Sequence, residues 1–118
     1  MAKLDFMDNW NRKLFCLFFT TARLWTEYKE DYYLSKVEET FEIKLKKNLF
    51  SKAILKEIFV AKIGDLQHDY FTWTDAGMNY ADFLKFMEKL YGKKLQWKGE
   101  DTKMIIMLFR NIWFNEEE

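Results

Sequence analysis

The spacing of apolar residues in the first third of the chain is typical of a long amphipathic helix. Apolar side chains recur every three or four positions from Met7 to Tyr32, and this period places them on one face of an α-helix. We therefore predict a long N-terminal helix within residues 1–32. Its most apolar part, residues 14–19, is expected to lie at the centre of the core or in a seam between two copies of the chain.

Residues 51–80 change their pattern twice. The apolar positions after Ser51, a residue type that caps helices, have helical spacing, and they are Ile54, Leu55, Ile58 and Phe59. Residues of β-prone types then flank a turn-rich segment at 64–69, which predicts a hairpin at about 60–74. Thr74 can cap another helix, and Gly92 can end it by adopting the left-handed conformation. The predicted order is helix, hairpin, helix.

Two further segments carry helix signals. A capping-box pattern at Ser35 predicts a second helix, although the alternation of apolar and charged residues at 41–46 leaves a strand open there. Near the C-terminus, the apolar spacing after Asp101 predicts a last helix within residues 101–115. Together the elements predict one mainly α domain over residues 1–118, with four to five helices and one small β-hairpin.

Composition agrees with a single folded domain and excludes a large net charge. Hydrophobic residues make up 49% of the chain, which is far from the composition of disordered segments. Nineteen Lys and Arg balance nineteen Asp and Glu, so no global field favours nucleic acid or membrane. The charges are nevertheless uneven, because residues 44–63 contain six lysines and one glutamate, a local excess of five positive charges.

The chain is expected to be cytoplasmic, unprocessed and not associated with a membrane. Its single cysteine, Cys16, cannot form an internal disulfide. No apolar run approaches the roughly 20 residues that span a bilayer. The acidic residues Asp5 and Asp8 near the start are not typical of a signal peptide.

The residue types present argue against catalysis. Nucleophilic catalysis by Ser or Cys usually needs a base such as histidine, and the one histidine, His68, lies at the predicted hairpin tip. His68 with Asp65 and Asp69 could bind a divalent ion, but these types in a turn are expected to be solvated instead. Ser35 and Ser51 are explained as helix caps, and glycine-rich phosphate-binding motifs and the zinc-protease motif are absent. We expect no enzyme, no metal site and no cofactor.

The order of the predicted elements resembles the winged-helix family over residues 34–83. The resemblance is most specific at residues 70–80, YFTWTDAGMNY, which look like the helix start that follows the wing. It implies that residues 34–83 form a winged-helix core that binds double-stranded DNA as a regulator, with the helix after Ser51 as the recognition helix. The residues it implies as nucleic-acid contacts are Lys44, Lys46, Lys47, Asn48, Ser51, Lys52 and Lys56.

An alternative function belongs to a different class. The chain is short and rich in Lys, Phe, Tyr and Asn, as expected for a small inhibitor or adaptor of the kind that phages and mobile elements encode. Aromatic residues are enriched at the centres of protein interfaces, and the five tryptophans are Trp10, Trp25, Trp73, Trp97 and Trp113. They can belong to the core or to an aromatic-rich surface. In the second case the partner is a host or phage protein, or a second copy of the chain.

Overall fold

Five β-strands are the main component of the fold. The computed structural model of the chain describes residues 2–67 and 71–112. Its strands are β1 (Ala2–Phe6), β2 (Phe18–Leu24), β3 (Thr40–Leu45), β4 (Asn48–Lys62) and β5 (Lys103–Ile112). Its α-helices are α1 (Glu27–Leu34), α2 (Phe71–Ala76) and α3 (Tyr80–Tyr91). Short 3-10 segments lie at Trp10–Phe15, Ile63–Leu66 and Gly99–Asp101.

The predicted mainly α fold is wrong, and so is the winged-helix resemblance. The chain is mainly β and its sheet is mixed. The expected N-terminal helix is replaced by β1, a 3-10 segment, β2 and α1, and the expected recognition helix lies within β4. The last expected helix is β5, as far as residue 112. The predicted hairpin at 60–74 is replaced by the end of β4, a 3-10 segment and α2, and residues 68–70 lie outside the described residues.

The strands form one sheet in the order β1-β3-β4-β5-β2. β1 pairs with β3 in parallel, and the other neighbouring pairs are antiparallel. β3 and β4 are joined by a tight turn at Lys46 and Lys47, whose φ angles are 51° and 71°. Positive φ at both central residues is the geometry of a two-residue turn that matches the twist of a hairpin.

The sheet curls until its two edge strands meet. The Phe6 ring on β1 lies 6.1 Å from the Phe19 ring on β2, although three strands separate these edges in the sheet. Arg23 on β2 donates a hydrogen bond of 2.8 Å to the carbonyl oxygen of Asp5 on β1. The curl therefore gives the sheet an enclosed inner face and an outer face.

Each face has its own hydrophobic core. The inner core comprises Leu4, Phe6, Leu14, Phe19, Phe41, Ile43, Ala53, Leu55, Ile105, Met107 and Phe109. The outer core joins one part of the sheet to α2, α3 and the 3-10 segment after β4, and it comprises Ala22, Leu24, Ile63, Leu66, Ala76, Phe83, Met87, Met104 and Ile106. β5 contributes alternate residues to both cores. Its sequence is therefore apolar almost throughout. Such a run lacks the alternation of a half-buried strand, which explains why the apolar spacing predicts a helix there.

An extra residue in β4 explains why this strand has a helix-like sequence. Before the irregularity at Lys56, Ala53 and Leu55 point into the inner core, and after it Ile58 and Val60 do. Such a bulge shifts the inward positions from odd to even numbers. Leu55 and Ile58 therefore face inward, whereas Ile54 and Phe59 face outward. These four apolar positions, 54, 55, 58 and 59, also have the spacing of one helical face.

The apolar segment 14–19 is only partly in the core. Leu14 and Phe19 are buried, whereas Phe15, Leu17 and Phe18 are exposed. Cys16 is exposed as well, so four of the six residues lie outside the core. The core-centre alternative is therefore wrong for most of the segment, and the alternative of a seam between two copies stays a prediction.

Helix α3 lies within the segment where the sequence predicts a helix, and Gly92 is its C-cap. The predicted start is wrong, because α3 begins at Tyr80 with Asn79 as its N-cap and Thr74 lies in α2. The expected reason for the glycine is wrong, because its φ is −58° and not left-handed. A Cβ atom at Gly92 would lie 2.5 Å from the carbonyl oxygen of Glu88. The glycine is needed for this close approach of the backbone.

Asn111 fixes the 3-10 segment before β2 to the middle of the sheet. Its side chain is fully buried and donates hydrogen bonds to the carbonyl oxygens of Leu14, at 3.0 Å, and Cys16, at 2.6 Å. Its side-chain oxygen accepts a hydrogen bond of 3.0 Å from the Ser51 hydroxyl. An apolar residue at position 111 would leave the carbonyl oxygens of Leu14 and Cys16 and the Ser51 hydroxyl without these hydrogen bonds.

We expect Asn111→Leu to destabilise the fold by about 1–3 kcal/mol, because the buried carbonyl group of Leu14 and the partly buried one of Cys16 lose their donor. Urea unfolding followed by circular dichroism measures this change. Asn48→Leu is the matched control, since Asn48 is exposed and makes one long hydrogen bond of 3.4 Å. Equal stability of the Asn111 variant and the wild type would contradict the role given to Asn111.

Candidate functional site

The predicted nucleic-acid contacts lie on the β3–β4 hairpin and not on a helix. Lys44 is on β3, Lys46 and Lys47 form the turn, and Asn48, Ser51, Lys52 and Lys56 are on β4. Ser51 is hydrogen-bonded to the buried Asn111. The structure thus brings these residues onto one hairpin but provides no recognition helix to carry them.

Acidic neighbours interrupt the lysines on this hairpin. Glu42 on β3 lies opposite Lys52 on one side and Lys3 on the other. Lys56 forms a 2.8 Å ion pair with Glu38. The local excess of positive charge in the sequence is therefore offset in space by residues from other segments.

A cleft lies where the edge strands β1 and β2 meet, next to α3. Its volume is about 170 Å³, and its lining includes Asp5, Phe6, Lys13, Arg23, Asp75 and Tyr91. Lys13 and Asp75 form a buried ion pair with an Nζ to Oδ1 distance of 2.9 Å. The same Asp75 oxygen accepts a hydrogen bond of 2.9 Å from the Thr20 hydroxyl.

The two buried charged groups of this cleft, Lys13 and Asp75, form an ion pair with each other. Burial lowers the pKa of Lys13 by more than the neighbouring Asp75 carboxylate raises it. Burial also raises the pKa of Tyr91 on the opposite wall. The ion pair joins the segment before β2 to α2, and we interpret it as structural.

The outer face of the sheet carries an apolar surface that the helices do not cover. Cross-strand neighbours place Phe18 beside Arg110 and Arg110 beside Ile54, and the next row holds Leu108 and Glu57. We define the outer patch as the apolar residues Phe18, Ile54, Phe59, Leu108 and Ile112. Arg110 and Glu57 lie among them.

Two phenylalanines of the outer patch are conspicuously exposed. Phe18 is 49% exposed and Phe59 is 53% exposed. Phe59 lies directly opposite Ile106, which belongs to the outer core under α3. The patch therefore begins where the helical cover ends.

The choice between core and aromatic-rich surface for the five tryptophans stays a prediction. Trp25 and Trp97 are half-buried, and Trp25 donates a hydrogen bond to Glu30 and lies under the Lys103 ammonium group. Nothing is described of the side chains of the other three tryptophans. The signal that could have found Phe18 and Phe59 is period-two alternation, which the bulge in β4 obscures.

The described ranges 2–67 and 71–112 contain no group of three His, Cys, Asp or Glu side chains placed to hold a metal ion. The Asp65, His68 and Asp69 cluster of the sequence lies partly outside these ranges. Among the helices of the same ranges, none has the length and apolar character that crossing a membrane requires.

Comparison of the chain with protein-family models, with curated proteins and with solved structures found no match.

We expect Asp75→Asn to destabilise the protein by about 3–5 kcal/mol at neutral pH, because it leaves the buried Lys13 ammonium without its counter-charge. The loss should shrink as the pH rises. Burial lowers the pKa of Lys13 and Asp75 raises it, so the folded variant, which lacks the carboxylate, lowers this pKa further than the folded wild type does. Lys13 then loses its proton at a lower pH in the variant, whose stability therefore increases more with pH than that of the wild type. Urea unfolding across a pH series measures both effects.

Lys62→Met is the control for this experiment. Lys62 forms a more exposed ion pair with Asp101, at 3.9 Å, and such surface pairs contribute about 0–1 kcal/mol. An Asp75→Asn variant no less stable than the control variant would show that the buried pair does not hold α2 in place.

Proposed function

We propose that this chain is a non-enzymatic protein-binding module that acts through the outer patch. The observation that carries the proposal is the exposure of Phe18 and Phe59 on one uncovered sheet face. Single exposed apolar residues are ordinary, but neighbouring ones that form a patch mark interaction sites. Small inhibitors and adaptors of phages and mobile elements are the class that we favour.

The energetics of the outer patch support this role. Moving one phenylalanine side chain from water into an apolar contact contributes about 1.5–3 kcal/mol. Two half-exposed phenylalanines, with the half-buried Ile54, Leu108 and Ile112 between or beside them, supply an anchor region of the kind found at interface centres. The rigid sheet beneath them also limits the entropy lost on binding.

The charges within the outer patch indicate the chemistry of the partner. Glu57 is exposed among the apolar residues, so the complementary surface should be apolar with a basic group that faces this carboxylate. A DNA backbone offers phosphates and no apolar surface, and the winged-helix geometry that would have carried DNA contacts is absent.

Affinity capture with matched variants tests the proposal. The tagged full-length chain is used as bait in its native host, and captured proteins are quantified by mass spectrometry for the wild type, Phe18→Asp with Phe59→Asp, and Leu95→Asp. Leu95 is 98% exposed and lies outside the outer patch. We expect a partner that the wild type and the Leu95 variant retain and that the double variant loses.

The captured partner is then purified and its affinity is measured by calorimetry. Each interface anchor typically contributes about 2 kcal/mol or more, which corresponds to a loss of roughly 30-fold per phenylalanine. Capture of the same proteins by all three baits would contradict the proposal, provided that circular dichroism shows that each bait is folded.

A further inference from the structure

One edge of β4 extends beyond its neighbour β3. β3 pairs with β4 as far as Ile54, and Leu55 then exchanges backbone hydrogen bonds with Glu38 and Glu39, which precede β3. β4 continues to Lys62, and from residue 57 onward it pairs with β5 on its other side. We call the opposite side of residues 57–62 the free edge.

Every second residue of the free edge directs its backbone groups away from β5. The N–H group of Ile63 donates to the carbonyl oxygen of Thr102, just before β5, and the pairing with β5 is regular from residue 57 to residue 62. Because backbone groups alternate in direction along a strand, Ile58, Val60 and Lys62 direct their N–H and C=O groups away from β5. Within residues 2–67 and 71–112, these groups have no hydrogen-bond partner. Such a row of unpaired groups is a template for pairing with another strand.

The lysines at the two ends of the free edge are offset by acidic residues. Lysine side chains often protect a strand edge from pairing with another chain. Here Lys56 forms a 2.8 Å ion pair with Glu38, and Lys62 lies 3.9 Å from Asp101. Between the two lysines, Glu57 is the one charged residue of the sequence, and it lies on the outer face. The middle of the free edge therefore has little charge to repel a second strand.

The free edge is complementary to itself in an antiparallel register centred on Val60. A two-fold axis there places Val60 opposite its own equivalent and Ile58 opposite Lys62 of a second copy. Each of these pairs can exchange two backbone hydrogen bonds, and the aliphatic part of the lysine can cover the isoleucine. On the outer face, Phe59 lies opposite Ala61 of the second copy, so a large side chain has a small neighbour. Interfaces between identical subunits usually use the same surface twice in this way.

The neighbouring registers are less favourable. An axis at Phe59 would place Lys56 of one copy opposite Lys62 of the other, and like charges directly opposite each other destabilise a strand pair. An axis at Ile58 would bring the second strand against the backbone that already pairs with Leu55. An axis after Val60 would extend the pairing beyond the end of β4. The register centred on Val60 avoids all three problems.

We infer that two copies of this chain associate through the free edge, with the two β4 strands antiparallel about Val60. The two sheets then continue into each other, and both outer patches lie on the same side of the joined sheet. The inference assigns a further interaction surface and does not rest on the binding role proposed for the outer patch. It also differs from the seam predicted from sequence within residues 14–19.

Amide hydrogen exchange of the full-length wild type, followed by NMR at increasing protein concentration, tests the inference. Analytical ultracentrifugation from micromolar to near-millimolar concentration gives the fraction of dimer in each sample. As the dimer forms, exchange at Ile58, Val60 and Lys62 should slow by about tenfold or more, because it then requires dissociation. The amides of Phe59 and Ala61 face β5 in both states and are the matched controls, so their exchange should not depend on concentration.

Val60→Pro gives an independent test in the ultracentrifuge. Proline removes the N–H group at this position, and strands tolerate proline at an edge where the N–H group faces solvent. We expect the dimer to weaken by about tenfold or more, because the change acts twice across the axis. Val60→Ala keeps the N–H group and is the matched control, which should keep the dimer. Circular dichroism checks that both variants fold, and if the proline variant does not, the exchange measurement on the wild type decides.

Three results would overturn the inference. They are a wild type that stays monomeric over the whole series, a dimer in which exchange at Ile58 and Val60 is as fast as in the monomer, and a folded Val60→Pro variant that dimerises as strongly as Val60→Ala. None of them decides the proposal for the outer patch, which fails only if the Phe18 and Phe59 double variant captures the same proteins as the wild type.

Discussion

Aromatic packing inside the curled sheet is the interaction on which the rest of the structure depends. Phe109 on the interior strand β5 stacks on Phe19 at 5.3 Å and meets the Phe41 ring edge-on at 5.2 Å. Phe6 then contacts Phe19 from the opposite edge strand. Truncating one such buried phenylalanine costs about 3–5 kcal/mol. The cluster therefore holds the two edges together and determines which side chains point outward.

The curl also explains why an apolar surface stays on the outside. Helices α2 and α3 pack against the part of the outer face near Ala22 and Met104, and they leave the part near Phe18 and Phe59 open. The buried Lys13–Asp75 pair holds α2 at the margin of this open region. Asp75 thus ties α2 to Lys13 and to Thr20 on β2, and the uncovered remainder is the surface that we propose for binding.

The sequence predicted some local elements correctly and the architecture wrongly, for physical reasons that particular residues show. Helix α3 has a clear one-sided pattern and a glycine at its end, so it was found. β5 is buried on both faces and β4 contains a bulge at Lys56, and both features remove the alternation by which strands are recognised. Pairing between distant segments, such as Phe6 with Phe19, leaves no local signal. The lysines of the hairpin were recognised as a charge cluster, but the acidic residues that offset them, Glu38 and Glu42, precede the lysine-rich segment 44–63 in the sequence.

A cysteine-accessibility scan along β4 tests the central claim most directly, namely that a bulged strand separates an inner core from an open outer face. Single cysteines are introduced at positions 52–60 in a Cys16→Ser background, and the rate of thiol labelling is measured under native conditions. The structure predicts protection at the buried positions 53 and 55, rapid labelling at the exposed positions 57 and 59, and slower labelling at the half-buried positions 58 and 60 than at 57 and 59. Labelling that repeats every three to four residues, or that alternates without a change of phase at Lys56, would contradict the account.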